Sequence, residues 1–143
     1  MRQPCTLPPP ILVLLLTLTA CGAEQAPGLG KGALVTFEMC EAPEGGPQRL
    51  TVFSTREAFA VEAERLADAG TTRIPVLNLR AGTTVDAQWS WHADPDTASF
   101  ADAAIEVCAG CPADIESDTA YWLGTVRRFC PWGASVTRVT RTP

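Results

Sequence analysis

From position 33 onward the chain alternates. Ala33 to Cys40 (ALVTFEMC) places Val35, Phe37 and Met39 on one face and Thr36 and Glu38 on the other, the period of a half-buried strand. Pro43 to Pro47 (PEGGP) reads as a turn, and Leu50 to Phe53 offers a second strand. Ser54-Thr55-Arg56-Glu57 has the spacing of a capping box, in which a hydroxyl and a carboxylate satisfy the first free amides of a helix. Behind it Phe59, Ala63, Leu66 and Ala67 recur at helical spacing up to Gly70, which predicts an amphipathic helix stopped by glycine. Ile74 to Leu79 reads as a strand, and Pro75, lacking an amide hydrogen, predicts an edge position for it. Thr84 to His92 alternates again, with Val85, Ala87, Trp89 and Trp91 on one face and Asp86, Gln88, Ser90 and His92 on the other. Asp94-Pro95-Asp96 then turns the chain, and Ile105 to Cys108 is expected to pair back as a strand. A short helix within Pro112 to Tyr121 and a closing strand over Ala134 to Thr140 complete the pattern. The sum is a small single α+β domain, a mainly antiparallel sheet with one or two helices.

The segment before position 33 changes the picture from fold to compartment. A single Arg2 precedes the apolar run Ile11 to Ala20, too short for a membrane-spanning helix and typical of a secretory signal. The run ends in Leu18-Thr19-Ala20-Cys21, which resembles the lipobox of bacterial lipoproteins. That resemblance implies cleavage after residue 20 and acylation of Cys21, an anchor that two or more chains would make essentially permanent. Gly22, with no acidic residue beside the cysteine, favours the outer membrane by the sorting habit of that class. The expected organisation is a signal peptide over 1–20, a lipidated Gly- and Pro-rich tether over 21–32 and the α+β domain over 33–143.

Cysteine chemistry follows from the compartment. Cys5 leaves with the signal and Cys21 carries lipid, so Cys40, Cys108, Cys111 and Cys130 remain, and in an oxidising envelope they read as two disulfides with three possible connectivities. Cys108 with Cys130 and Cys40 with Cys111 is the preferred pairing, because each bridge joins distant segments and constrains the unfolded chain by roughly 3 to 4 kcal/mol. The rival for Cys108-Ala109-Gly110-Cys111 is a redox motif, a thiol-disulfide oxidoreductase using Cys108 and Cys111. Only 32 residues follow Cys111 (143 − 111), too few for the elements a thioredoxin fold needs downstream. Haem attachment is excluded by Pro112, which stands where the motif requires His.

No cofactor or metal is expected. Zinc lacks a second ligand pair, since His92 is the single histidine. Asp94, Asp96, Asp102, Glu106, Asp114, Glu116 and Asp118 raise the question of calcium, but an EF-hand loop counted from Asp94 fails at Ala98, Ser99 and Ile105, so a solvated acidic face is the simpler reading. A lone histidine without a nucleophile motif does not make a general base, and no spacing rule selects a carboxylate pair for glycoside hydrolysis. Trp89 and Trp91 share the face of Val85 and are expected in the core; Trp122 and Trp132 are undecided. Sixteen acidic residues stand against ten basic ones once Arg2 is removed from the eleven, a balance that repels phosphate and argues against nucleic acid.

WSWHADPDTASFADAAIEVC (residues 89 to 108) followed by RFCPWGASVTRV (128 to 139) resembles the N-terminal domain family of a cAMP-inducible eukaryotic developmental protein, also found in bacterial secreted proteins. The resemblance rests on the tryptophan-rich strand, the H-x-D-P-D turn, the IEVC segment and the late Cys-Pro-Trp. It implies a secreted module and a Cys108 to Cys130 bridge, with no settled biochemical role. Cys40 and Cys111 then form a second, private bridge. The functional expectation is a non-enzymatic, lipid-anchored binding module of the cell envelope, held to the membrane through Cys21, with an unknown envelope or extracellular ligand meeting His92, Asp94, Asp96 and nearby Trp132. An inhibitor of a lysozyme-like or protease enzyme is the alternative of the same size class.

Overall fold

A computed structural model describes residues 28–143. The signal segment, Cys21 and most of the tether therefore lie outside the described residues. The first sheet is three-stranded, in the order β2-β1-β7, all antiparallel. β1 spans Gly32–Glu41, β2 Pro47–Ser54 and β7 Ser135–Thr142. The alternation of β1 is realised as expected: Ala33, Val35, Phe37 and Met39 are buried, opposite Ser54, Val52, Leu50 and Gln48 of β2. Across the buried face lies helix α1 (Glu57–Ala69), which contributes Phe59, Ala60, Ala63 and Leu66. Gly70 ends it in the left-handed conformation, φ 61°, with its amide on the carbonyls of Ala67 and Leu66, the place where a side chain would be strained.

The second sheet is built on β3 (Ile74–Ala81). The short strands β4 (Trp91–Ala93) and β5 (Ser99–Ala101) pair with its two halves, and β6 (Arg128–Phe129) pairs with Leu77 and Asn78. One buried cluster draws on both sheets. Trp91 packs edge-on against Phe129 at 5.8 Å, Trp122 meets the same ring at 6.1 Å, and Phe59 stacks on Phe100 at 4.7 Å. Such pairs contribute about 0.5 to 1.5 kcal/mol each beyond area burial. Among the described residues no helix is long and apolar enough to cross a membrane.

Four local expectations are corrected. Ser54 does not cap α1 as the first residue of a box; it ends β2, accepts the Arg56 amide at 3.1 Å and donates to the Pro95 carbonyl at 3.1 Å. A tie across the fold outcompetes the local motif. Thr84 to Ser90 is not a strand, because this stretch lies along the outer edge of β2: the Asp86 carboxylate accepts the Thr51 amide at 2.8 Å and the Trp89 indole donates to the Arg49 carbonyl at 3.1 Å. Only Trp91 to Ala93 enters the sheet, and of the two tryptophans only Trp91 is fully buried. Ile105 to Cys108 is likewise no strand but leads into a 3-10 turn, Glu106–Cys108, and the pairing expected of it is made by β5. Finally, β3 is the central strand of its sheet, and Pro75 opposes Phe100 within it. Proline is tolerated there because β6 reaches only Leu77 and Asn78, leaving Pro75 without a strand on its second side.

Candidate functional site

Asp94, Pro95 and Asp96 connect β4 to β5, and nearly every polar group of this turn has an internal partner. Asp94, 7 % exposed, accepts the Asp96 amide at 3.1 Å and the Arg80 guanidinium, Nη2 at 2.6 Å and Nε at 2.8 Å. Burial pushes its carboxyl up, but the Asp96 amide and the Arg80 guanidinium outweigh that effect and hold it below its ordinary value. Asp96 accepts the Thr55 hydroxyl at 2.6 Å, while the Thr55 amide donates to the Pro95 carbonyl at 3.0 Å. His92 donates from Nδ1 to the Gly82 carbonyl at 2.7 Å, the polarity a carbonyl acceptor demands. The turn is thus stapled to the β2–α1 junction on one side and to β3 on the other.

The acids that suggested calcium are dispersed into similar local roles. Asp102 pairs with Arg73 at 2.8 Å, Asp114 accepts the Cys111 amide at 2.8 Å, Glu116 accepts both polar groups of Ser90 and Asp118 accepts the Tyr121 amide. Among the described residues no three His, Cys, Asp or Glu side chains are grouped to hold a metal ion.

The four described cysteines form two bridges, Cys40 with Cys111 and Cys108 with Cys130. Cys108 and Cys111 are therefore joined to different partners, and no dithiol pair stands between them. The Cys130 amide also donates to the Cys108 carbonyl at 2.7 Å. Bridge and hydrogen bond together pin the 3-10 turn against the end of β6 and hold Ile105 and Val107 outward, 69 % and 55 % exposed.

These two aliphatic side chains help line an open groove of about 640 Å³. Its lining also carries Arg80 of β3, Arg127 and Arg128, together with Asp94: three cations against one anion, a local net of +2. The position of Arg127 has a specific cause. A helical turn over Thr119–Tyr121 runs into a π-helical turn, Trp122–Val126, which Arg127 closes with φ 62° and its amide on the Trp122 carbonyl at 2.6 Å. A non-glycine residue in this conformation is uncommon, and π turns recur at functional positions. The Arg127 carbonyl then accepts the Leu79 amide at 2.9 Å, which docks the turn on β3. Arg127 Nε donates to the Gly124 carbonyl at 3.1 Å and Arg128 Nε to Asn78 Oδ1 at 3.4 Å. Among the described residues the terminal nitrogens of Arg127 and Arg128 have no hydrogen-bond partner, so both forks are open to an anion.

Of the residues expected to meet a ligand, Asp94 lines this groove; His92 and Asp96 hold the turn behind it. Trp132 is 50 % exposed and lies outside the groove lining. Sequence reasoning passed over Arg80, Ile105, Val107, Arg127 and Arg128. One signal was present: Arg127-Arg128 is the only adjacent basic pair in an acidic sequence.

The sequence model of the BP-74 N-terminal domain matches residues 35–143, nearly the whole of the described fold. No curated protein and no solved structure gives a significant match.

Proposed function

The chain belongs to the BP-74 N-terminal domain family, and from that premise we propose that it is a non-enzymatic binding module of the bacterial cell envelope, anchored through lipid on Cys21 and meeting its ligand in the groove between Arg127 and Ile105. The observation that carries the reading is the groove itself, whose lining combines exposed aliphatic side chains with guanidinium groups that have free donors. Exposed apolar side chains grouped beside cations with free donors are the composition of an interaction surface. A membrane anchor would suit such a role, because it raises the effective concentration of even a weak ligand in the same envelope.

Two measurements on the full chain test the reading. Metabolic labelling with an alkyne-bearing fatty acid should mark the wild-type protein and lose the mark in Cys21→Ser, with the protein then released from the membrane fraction. Label retained by that variant would contradict the anchor. Chemical crosslinking in intact envelopes should give an adduct that Ile105→Ser with Val107→Ser weakens; an adduct unaltered by both changes would move the binding surface elsewhere.

A further inference from the structure

We infer that the occupant of the groove is an extended acidic segment of a partner protein that also carries an aliphatic side chain. This rests on the binding-module reading above and names its ligand class. Three features of the molecule point the same way. Arg127 and Arg128 offer planar forks whose Nε atoms are already fixed by Gly124 and Asn78, so the terminal nitrogens are oriented before a ligand arrives. Guanidinium forks of that kind match carboxylates in two-point contacts, where a lysine would supply only a point charge. Arg80 adds a third cation to the lining while held by Asp94. In the same lining Ile105 and Val107 present apolar surface that the bridge between Cys108 and Cys130 keeps out of the core. A ligand meeting both kinds of group needs carboxylates and an aliphatic group within a few residues of each other.

An anionic bilayer would also offer negative charge and apolar contact, but the molecule disfavours it. The chain is acidic overall, at −5, and a broad anionic surface would meet that repulsion across the whole face. A narrow peptide feels only the groove, within a screening length of about 8 Å. The site is concave, which suits a chain lying in it, and the exposed Glu106 between Ile105 and Val107 opposes entry of that ledge into lipid while standing outside the groove lining.

The test is selection of a random peptide library on the full mature chain held in detergent micelles, run beside Arg128→Glu, Arg127→Asn and Ile105→Ser with Val107→Ser. Asparagine is chosen at 127 because it tolerates the left-handed backbone; circular dichroism and free-thiol counts establish that each variant is folded. The expected result is enrichment of peptides combining Asp or Glu with Leu, Ile or Val, and a fall in retention of about tenfold with Arg128→Glu. Peptides that are lost with the groove variants but are not acidic would overturn the ligand class while leaving the groove as the binding surface. Peptides indifferent to every groove variant, or none retained at all, would overturn both. A companion measurement uses phosphatidylglycerol vesicles with the Cys21→Ser chain. Sedimentation with the vesicles that Arg128→Glu abolishes would assign the groove to lipid and sink the peptide.

Discussion

The turn at Asp94 to Asp96 and the groove beside it share Arg80 and Asp94 but differ in what they leave free. The turn is dense in chemically suggestive residues, and almost all of them are satisfied by the fold: His92 by Gly82, Asp94 by Arg80, Asp96 by Thr55. The groove is sparse, assembled from four separate segments, and leaves two guanidinium ends and two aliphatic side chains facing solvent. A cluster of polar residues in sequence thus marks where the chain holds itself together. Open donors and uncovered apolar surface mark where it can hold something else.

That contrast can be broken in steps. The largest effects are expected from removing the bridges: Cys108→Ala with Cys130→Ala, which takes away the support of the groove, should cost about 3 kcal/mol in chemical denaturation and unfix Ile105 and Val107. The longer loop closed by Cys40 and Cys111, 71 residues against 22, predicts about 1 kcal/mol more for the other bridge. A stable protein lacking Cys108 and Cys130 would remove the reason given for the exposed ledge.

Next comes the turn. Asp94→Ala should destabilise by about 2 kcal/mol, since it leaves the Asp96 amide and Arg80 without their acceptor. The carboxyl of Asp94 is held below its ordinary value in the fold, so its contribution is present above the unfolded pKa of about 4 and is lost as pH falls through the lower folded value. Stability curves against pH should therefore lose part of their acid limb in Asp94→Asn, and an unchanged limb would contradict the assigned partners. Thr55→Val, which removes the hydroxyl bonded to Asp96 at 2.6 Å, should cost about 1 kcal/mol. Arg128→Gln should be the mildest, within about 0.5 kcal/mol of wild type, because its side chain is exposed and its terminal nitrogens have no internal partner. A large loss of stability there would make the groove scaffold rather than surface.

The contrast also explains which parts were legible from the residues alone. β1 and α1 declared themselves because burial of one face imposes a period, two for Val35, Phe37 and Met39, near four for Phe59, Ala63 and Leu66. The bridges followed from the even count of thiols and the separation of their positions. Residues 84 to 90 misled because the alternation written in the sequence is not realised: Asp86 and Trp89, which a strand period puts on opposite faces, both turn toward β2. Ile105 and Val107 alternate like a buried strand, but the pairing of Cys108 with Cys130 places them outside. The groove was hardest to foresee. Arg80 and Arg127 are brought together by the hydrogen bond from Leu79 to the Arg127 carbonyl and by the pairing of β6 with β3, contacts between residues about fifty positions apart that no local pattern encodes. Of the expected ligand residues, Asp94 alone reaches it.

The difference between turn and groove is most directly tested by placing a photo-crosslinking amino acid, one position at a time, at Ile105, Val107, His92 and Trp132 in the full chain and irradiating intact cells. Adducts from positions 105 and 107, with none from 92, are the predicted result. Adducts from 92 or 132 with none from 105 and 107 would contradict the account.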